Sequence, residues 1–356
     1  MNFNVPLLKP IRILLFPFSL IYALAIILRN FFYDKKLISS TSFNLPLVCI
    51  GNLSVGGTGK SPMVEFLLKN LSNNFNVAVL SRGYKRKTKG YALATTKSTA
   101  LEIGDEPVQF KSKFPDVAIA VGEERIFAIP QLLHDKPETQ VIILDDAFQH
   151  RSVVAGMNIL LTDFNNLYTR DWFLPTGDLR DEWKSARRAD VIIVTKCPDD
   201  ISASEQLAIK KEISPLAGQK LFFTNLSYGK IYHIISRHHS VISPEHEILL
   251  VTGIASPRSL KDYILDHSKT YYEMSYDDHH IFTIDDLRDI KRRFESINAP
   301  KKLILTTEKD AVRLMKFQHQ LKDIPLFVLP VEHHFLNGEA QSFLHLITNF
   351  IQTFKR

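Results

Sequence analysis

The sequence predicts an α/β fold: a parallel-sheet unit, a second and smaller α/β unit, and an apolar N-terminal helix ahead of both. Three observations carry this. Short β-branched apolar runs alternate with helical or loop stretches, a glycine-rich loop joins the first run to an amphipathic segment, and 16 uncharged residues lie between Arg12 and Arg29. With 356 residues and 45% hydrophobic content, the chain is long enough for two compact units with their own cores. No internal repeat or low-complexity segment is present.

The N-terminal stretch "ILLFPFSLIYALAIIL" is followed by "RNFFYDKK". A helix of that length rises about 24 Å, short of a hydrocarbon core of about 30 Å. A signal peptide, a buried core helix and a helix dipping into one leaflet all compete. The last fits best, because no small-residue cleavage site follows and aromatic and basic residues stand at its edge. A membrane-associated helix is therefore expected within residues 1–35.

The apolar runs then follow in order. "LPLVCIG" (45–51), "NVAVLSRG" (76–83), "VAIAVG" (117–122), "VIILDDA" (141–147), "MNILLTD" (157–163) and "DVIIVTK" (190–196) have the composition of strands buried on both faces. A second series comprises "KLFFTNL" (220–226), "EILLVTGI" (247–254), "KLILTTE" (302–308) and "PLFVLP" (325–330). A boundary near residues 225–245 is expected, giving a unit at 36–235 and another at 236–356. The second closes with a helix that repeats Phe343, Leu344, Leu346, Ile347 and Phe350 at helical spacing, a packing pattern.

A net charge of +6 favours anionic partners without choosing among them. The two cysteines, Cys49 and Cys197, lack the spacing of a metal knuckle or redox pair and are expected as buried thiols.

The loop "GNLSVGGTGKSP" nearly matches G-x-x-x-x-G-K-[ST], with Ser54 at the first glycine position. A P-loop aims backbone N–H groups at phosphate oxygens from a helix N-terminus, with a lysine reaching the outer phosphates. Ser54, Val55, Gly56, Gly57, Thr58, Gly59, Lys60 and Ser61 are the candidate nucleotide-binding residues, and Ser61 can offer its hydroxyl to Mg²⁺. Switch ATPases of the ParA and MinD kind carry a lysine where this chain has Val55. Guanine specificity would need N-K-x-D, which neither "TKCP" nor "TEKD" supplies, so ATP is the expected nucleotide.

Strand-end carboxylates are the usual metal partners. "VIILDD" ends in Asp145 and Asp146, at the carboxyl end of a predicted parallel strand. "GDEP" places Asp105 and Glu106 before a helix, where a capping role is equally open. "YDDHH" contains His279 and His280, without the further spacing of a metal site. The basic run "RGYKRKTKG" reads as a solubilising loop or as one attracted to an anionic membrane or phosphate. No aromatic stacking motif marks it for nucleic acid.

Together "GNLSVGGTGKSP", "LSRGYKRK", "GDEP", "DDAFQH", "WFLPTGDLRD", "DHH" and "TTEKDAVRL" resemble the tetraacyldisaccharide 4′-kinases of lipid A synthesis, over roughly residues 10–320. The resemblance implies a P-loop NTPase-like sheet domain carrying the kinase chemistry, and ATP with Mg²⁺ as cofactors. The implied acceptor is the 4′-hydroxyl of an acylated glucosamine disaccharide 1-phosphate at the cytoplasmic face of the inner membrane, giving lipid IVA. Neither nucleic acid nor an obligate protein partner is implied. By matched position, Asp105 is the general base paired with His279, Lys60 serves the phosphoryl group, and Asp145, Asp146, Glu106 and Ser61 form the metal environment. Arg82, Tyr84, His150 and Arg180 fall in segments near the substrate cleft. Ala147 and Asp181 depart from the glycine and glutamate usual in this family. A kinase of a soluble anion and a P-loop switch or metallochaperone are the competing functions.

Overall fold

The computed structural model describes residues 9–254 and 257–354, so residues 1–8 of the expected N-terminal unit lie outside the described residues. Among the described residues, fourteen strands form in chain order. They are β1 (Leu47–Asn52), β2 (Val77–Ser81), β3 (Ala92–Leu93), β4 (Ala118–Val121), β5 (Val141–Asp145), β6 (Met157–Asp163) and β7 (Val191–Thr195). After them come β8 (Lys220–Tyr228), β9 (Tyr232–His233), β10 (Glu247–Thr252), β11 (Thr270–Ser275), β12 (Lys302–Thr307), β13 (Leu326–Leu329) and β14 (Val331–Phe335).

These strands build a nine-stranded sheet in the order β14-β8-β7-β6-β1-β5-β2-β4-β3 and a five-stranded sheet in the order β11-β10-β12-β13-β9. Both are mixed rather than parallel throughout. β3 and β14 run antiparallel at the edges of the large sheet, and β9 does so in the small one. The interiors are parallel, with β1 between β5 and β6. Alternate residues of β1 feed opposite cores: Leu47 and Cys49 on one face, Val48 and Ile50 on the other. A sheet covered on both faces explains why its strands read as unbroken apolar runs. Cys49 and Cys197 are buried free thiols.

A cut near residue 235 does not divide the two sheets cleanly. β8 belongs to the large sheet, and the chain returns there after β13: β14 pairs with β8, and the helix Ala340–Thr353 packs on the same core. Phe343 anchors that return, fully buried and stacked on Phe335 at 4.8 Å, with Phe222 and Phe66 around it. Residues 331–353 are therefore structurally part of the large-sheet unit.

The apolar N-terminal segment forms a helix, Phe16–Asp34, long and apolar enough to cross a membrane, in which only Ser19 and Asn30 are buried. It is not a core helix. Phe18, Leu20, Ile21, Leu24, Leu28 and Phe31 are exposed, while a polar stripe docks on residues 149–185. Ser19 bonds Thr176 at 2.7 Å, the Tyr22 hydroxyl donates to Arg180 O at 3.1 Å, and buried Asn30 donates to Asp181 at 2.9 Å. Asp181 also accepts from Ser185 and pairs with Arg188, so the shorter carboxylate at this position serves as a clamp under the helix.

Replacing Phe343 by alanine should destabilise the large-sheet unit by about 3–5 kcal/mol, as expected for truncating a fully buried aromatic. A denaturant midpoint equal to that of the parent protein would show that the C-terminal helix is not part of this core.

Candidate active site

The glycine-rich loop leaves β1 and turns into the helix Lys60–Leu71. Ser54 does not have the positive φ that would require glycine at this position. Ser54 bridges to Leu179, and the Val55 N–H donates to Asp178 O at 2.7 Å, so the mouth of the loop is stitched to the segment beneath the apolar helix. The Val55 amide is thus already used, which leaves Gly56 to Ser61 as the stretch of loop open to a phosphate. Gly59 caps the helix at φ +83°, and a Cβ there would lie 2.9 Å from His333 Nε2. Only glycine suits both the backbone and the space.

The loop is held from below as well. The Thr195 hydroxyl donates to Thr58 O at 3.0 Å. His333 on β14 bonds Gly59 O through Nε2 at 2.8 Å and Thr224 Oγ1 through Nδ1 at 2.9 Å. Burial pushes the His333 imidazole down to about 4, so it is neutral at physiological pH. A neutral ring with Nε2 protonated satisfies both contacts. Two buried polar atoms beside the loop, Asn52 Nδ2 and Thr58 Oγ1, have no partner within the protein. Such orphaned groups fit an anion seated on the loop, which would supply the missing acceptors.

Lys60 reaches back to Asn52 Oδ1 at 3.3 Å and Asp146 at 3.7 Å. Burial lowers its ammonium from the ordinary value, against the opposing pull of Asp146. Asp145 ends β5 opposite Ile50, accepts from Ser81 at 3.0 Å, and has its carbonyl held by buried Arg125 at 3.3 Å. Burial, then Asp146 and Glu106, push the Asp145 carboxyl up to about 6. Asp146 sits at φ +49° and pairs with Arg180. Although burial opposes its charge, Lys60 and Arg180 hold its carboxyl well below the usual carboxylate range.

These two carboxylates and the Ser61 hydroxyl suit a Mg²⁺ ion, which keeps several waters and needs only one or two carboxylates beside phosphate oxygens. Among the described residues no group of three or more His, Cys, Asp or Glu could by itself hold a metal. Glu106 is held differently from the aspartates, by Lys309 at 2.8 Å. His150 follows in the same loop, and burial with Arg125 and Arg82 nearby pushes its imidazole down to about 4.

Asp105 begins the helix Asp105–Lys113, directly after Gly104 at φ +92°. Its Oδ2 accepts from Arg313 Nη2 at 2.7 Å and Nε at 2.9 Å, and lies 2.9 Å from His279 Nδ1. Burial works against the charge, yet His279 and Arg313 lower the Asp105 carboxyl below its ordinary value. His279 sits in a tight turn at φ +64° after β11, with the Tyr84 ring edge-on at 5.6 Å. The adjacent histidine goes elsewhere: His280 bonds Asp286 at 2.8 Å and stacks on Tyr276, so the pair does not form a metal site.

Asp105 belongs to the large-sheet unit, whereas His279 and Arg313 come from the small one. Arg313 is buried, and its other Nη bonds Asp310 at 2.9 Å and Gly253 O at 3.2 Å. The structure therefore brings Asp105 and His279 together as the motifs suggest, and gathers Lys60, Asp145, Asp146 and Arg180 at the loop. Reading the sequence missed Arg313, Lys309 and His333. Arg313 and Lys309 lie within "TTEKDAVRL", whose spacing does not tell which side chains face the other unit.

Replacing His333 by phenylalanine should weaken nucleotide binding by about tenfold, since one buried hydrogen bond of about 1–1.5 kcal/mol fixes the loop. The folded-state value near 4 lies below the unfolded value near 6.5, so the neutral ring's stability is present above pH 6.5 and declines as pH falls toward 4. Thermal unfolding between pH 7 and 4 should show a shallower acid decline in the variant. Parallel curves would remove this role.

Three comparisons bear on the family. The family model described as Tetraacyldisaccharide-1-P 4'-kinase matches residues 11–352. The tetraacyldisaccharide 4'-kinase of Bacteroides fragilis (strain YCH46) is 42% identical over 348 residues, covering 95% of this chain and 93% of that one. That of Flavobacterium johnsoniae is 42% identical over 345 residues, covering 96% and 98%. The crystal structure of LpxK from Aquifex aeolicus in complex with ATP superimposes with a TM-score of 0.73 at 27% identity, covering 95% of this chain and 99% of that one. With the phosphate loop, the acidic pair and the carboxylate between the two sheets in place, the chain belongs to the tetraacyldisaccharide 4′-kinase family, the ATP-dependent kinases of lipid A biosynthesis.

Proposed function

We propose that the chain transfers the γ-phosphoryl group of ATP to the 4′-hydroxyl of an acylated disaccharide 1-phosphate, with Asp105 as the proton acceptor. The observation that carries this reading is a single buried carboxylate held by Arg313 and His279 between the two sheets. A sugar hydroxyl is a weak nucleophile at neutral pH, and a positioned carboxylate can take its proton as the P–O bond forms. Because its partners lower its pKa, Asp105 is ionised at neutral pH and only weakly basic. That suits acceptance late in a loose transition state, when the hydroxyl has become acidic. His279 and Arg313 orient Oδ2, and Lys60 stabilises charge on the transferred oxygens. Backbone amides from Gly56 to Ser61 hold the phosphates. Bound Mg²⁺ would be held by Ser61 and Asp145, with Asp146 and Glu106 contributing charge nearby, and would supply charge neutralisation at the phosphates.

Arg180 links the two halves of the site, since it pairs with Asp146 while its carbonyl accepts from Tyr22 of the apolar helix. Arg82, Tyr84 and His150 continue the acceptor side away from the loop. We place the exposed face of that helix in the inner membrane at its cytoplasmic surface, where both ATP and a lipid acceptor are available. The chain's two tryptophans support this placement. Trp172 and Trp183 are 60% and 53% exposed in the segment under the helix, and Trp172 meets Phe16 at 5.6 Å. Exposed tryptophans beside an apolar helix suit a membrane interface.

Incubation with labelled ATP, Mg²⁺ and the acylated disaccharide 1-phosphate should yield a labelled lipid, and Asp105→Asn should lower turnover by about 10²- to 10⁴-fold while leaving ATP affinity nearly unchanged. Full turnover in that variant removes Asp105 from the chemistry. Tryptophan emission should shift to the blue on adding phospholipid vesicles, and an unchanged spectrum contradicts the membrane placement.

A further inference from the structure

Three helices carry the groups of the site, and one ammonium joins them. The helix Lys60–Leu71 begins at the phosphate-loop lysine, and the helix Asp105–Lys113 begins at the carboxylate between the two sheets. The helix Glu308–Leu314 carries Arg313, which holds that carboxylate from the small-sheet unit. Lys113 Nζ donates to Glu65 Oε2 on the first of these helices at 2.5 Å and to Glu308 Oε1 on the third at 2.6 Å. The other two carboxylate oxygens are also used. Gln109 Nε2 donates to Glu65 Oε1 at 2.8 Å, and the N–H of Val331, at the start of β14, donates to Glu308 Oε2 at 3.3 Å. The small-sheet unit grips the same helix end a second time, where Arg237 donates to Ser112 Oγ at 2.8 Å.

Glu65 and Glu308 are buried, so solvent screens the cluster little. Two carboxylates face one ammonium. Although burial opposes its charge, Glu65 and Glu308 raise Lys113 above its ordinary value and keep it protonated. Among the described residues, every hydrogen bond between the helices Lys60–Leu71 and Asp105–Lys113 ends on Glu65. Leu67 and Phe110 share one apolar core and draw these helices together, but apolar contact is non-directional. A charge-assisted hydrogen bond is directional, and it sets how far one helix lies along the other. Lys113 stands at the opposite end of its helix from Asp105, about 12 Å away along the axis. A slip at Lys113 is therefore carried along the helix to the Asp105 carboxylate.

We propose that Lys113, through Glu65 and Glu308, is a positioning residue that sets the distance between the phosphate loop and Asp105. This rests on the reading of Asp105 as proton acceptor given above. Among the described residues, none of the three side chains bonds the phosphate loop or Asp105 itself, so their loss should fall on the chemical step rather than on binding. A displacement of about 1 Å between reacting groups costs on the order of a hundredfold in rate.

The test uses the full-length protein. Lys113→Met should lower kcat about 10- to 100-fold while the KM values for ATP and the acylated acceptor stay within about threefold of the parent. Lys113→Arg keeps the charge and can bond both carboxylates, so it should recover most of that kcat. In an Asp105→Asn background, Lys113→Met should cost no further activity, because its effect runs through that carboxylate. If Lys113→Met does not fold, Glu65→Gln leaves Lys113 paired with Glu308 and should still lower kcat about three- to tenfold with both KM values unchanged. A variant with the parent's kcat and only a lower melting temperature overturns the proposal, since the cluster is then a structural tie alone. So do losses that multiply with those of Asp105→Asn. Full turnover by Asp105→Asn refutes the proton-acceptor reading and the positioning role that rests on it. An impaired Asp105→Asn beside an unimpaired Lys113→Met refutes the positioning role alone.

Discussion

The shared carboxylate of Asp105 is the constraint on which the rest of the arrangement depends. One oxygen atom meets Arg313 twice and His279 once, and these partners belong to the small-sheet unit, whereas Asp105 belongs to the large-sheet one. Removing the carboxylate would leave a buried guanidinium without its main partner, which is far costlier than losing a surface ion pair. The two sheets are thereby required to meet at this point. Lys309 with Glu106, and Lys113 with both Glu65 and Glu308, reinforce the same junction. Chemistry and assembly are therefore tied together: the group suited to accept a proton is also the one that holds the units in register.

The phosphate loop is constrained in a complementary way. Its mouth is paired with residues 178–179, its end is fixed by His333, and its floor is braced by Thr195. Residues 176–181 contact both the loop and the polar stripe of the apolar helix. Seating that helix on a bilayer, as proposed, would fix the height of the loop above the lipid surface. Ser54, a fault when judged against the usual glycine pattern, is the residue at which this connection is made.

Much of the fold was legible because burial on both faces turns strands into continuous apolar runs. Every such run became a strand, including β1, β5 and β7 at the centre of the large sheet. The strands that escaped notice are edges or half-exposed. β14 reads "VEHHF", β11 reads "TYYEMS", and β3 and β9 have only two residues each. Return of the chain to the first sheet was equally invisible, since it depends on Phe343 finding Phe335 and Phe222 rather than on any local pattern. At the site, loop residues and strand-end carboxylates have local signatures. Arg313 and His333 have none, because their meaning lies in partners 208 and 274 residues away. His279 gained its position from a left-handed turn that "YDDHH" did not announce.

The central claim is that Asp105 and His279 act as one unit assembled from two sheets. A double-mutant cycle on kcat with Asp105→Asn, His279→Gln and the combined variant tests it most directly. Residues acting as a unit predict that the combined variant loses no more activity than the worse single one. Losses that multiply would show that the two side chains act independently and would contradict the account.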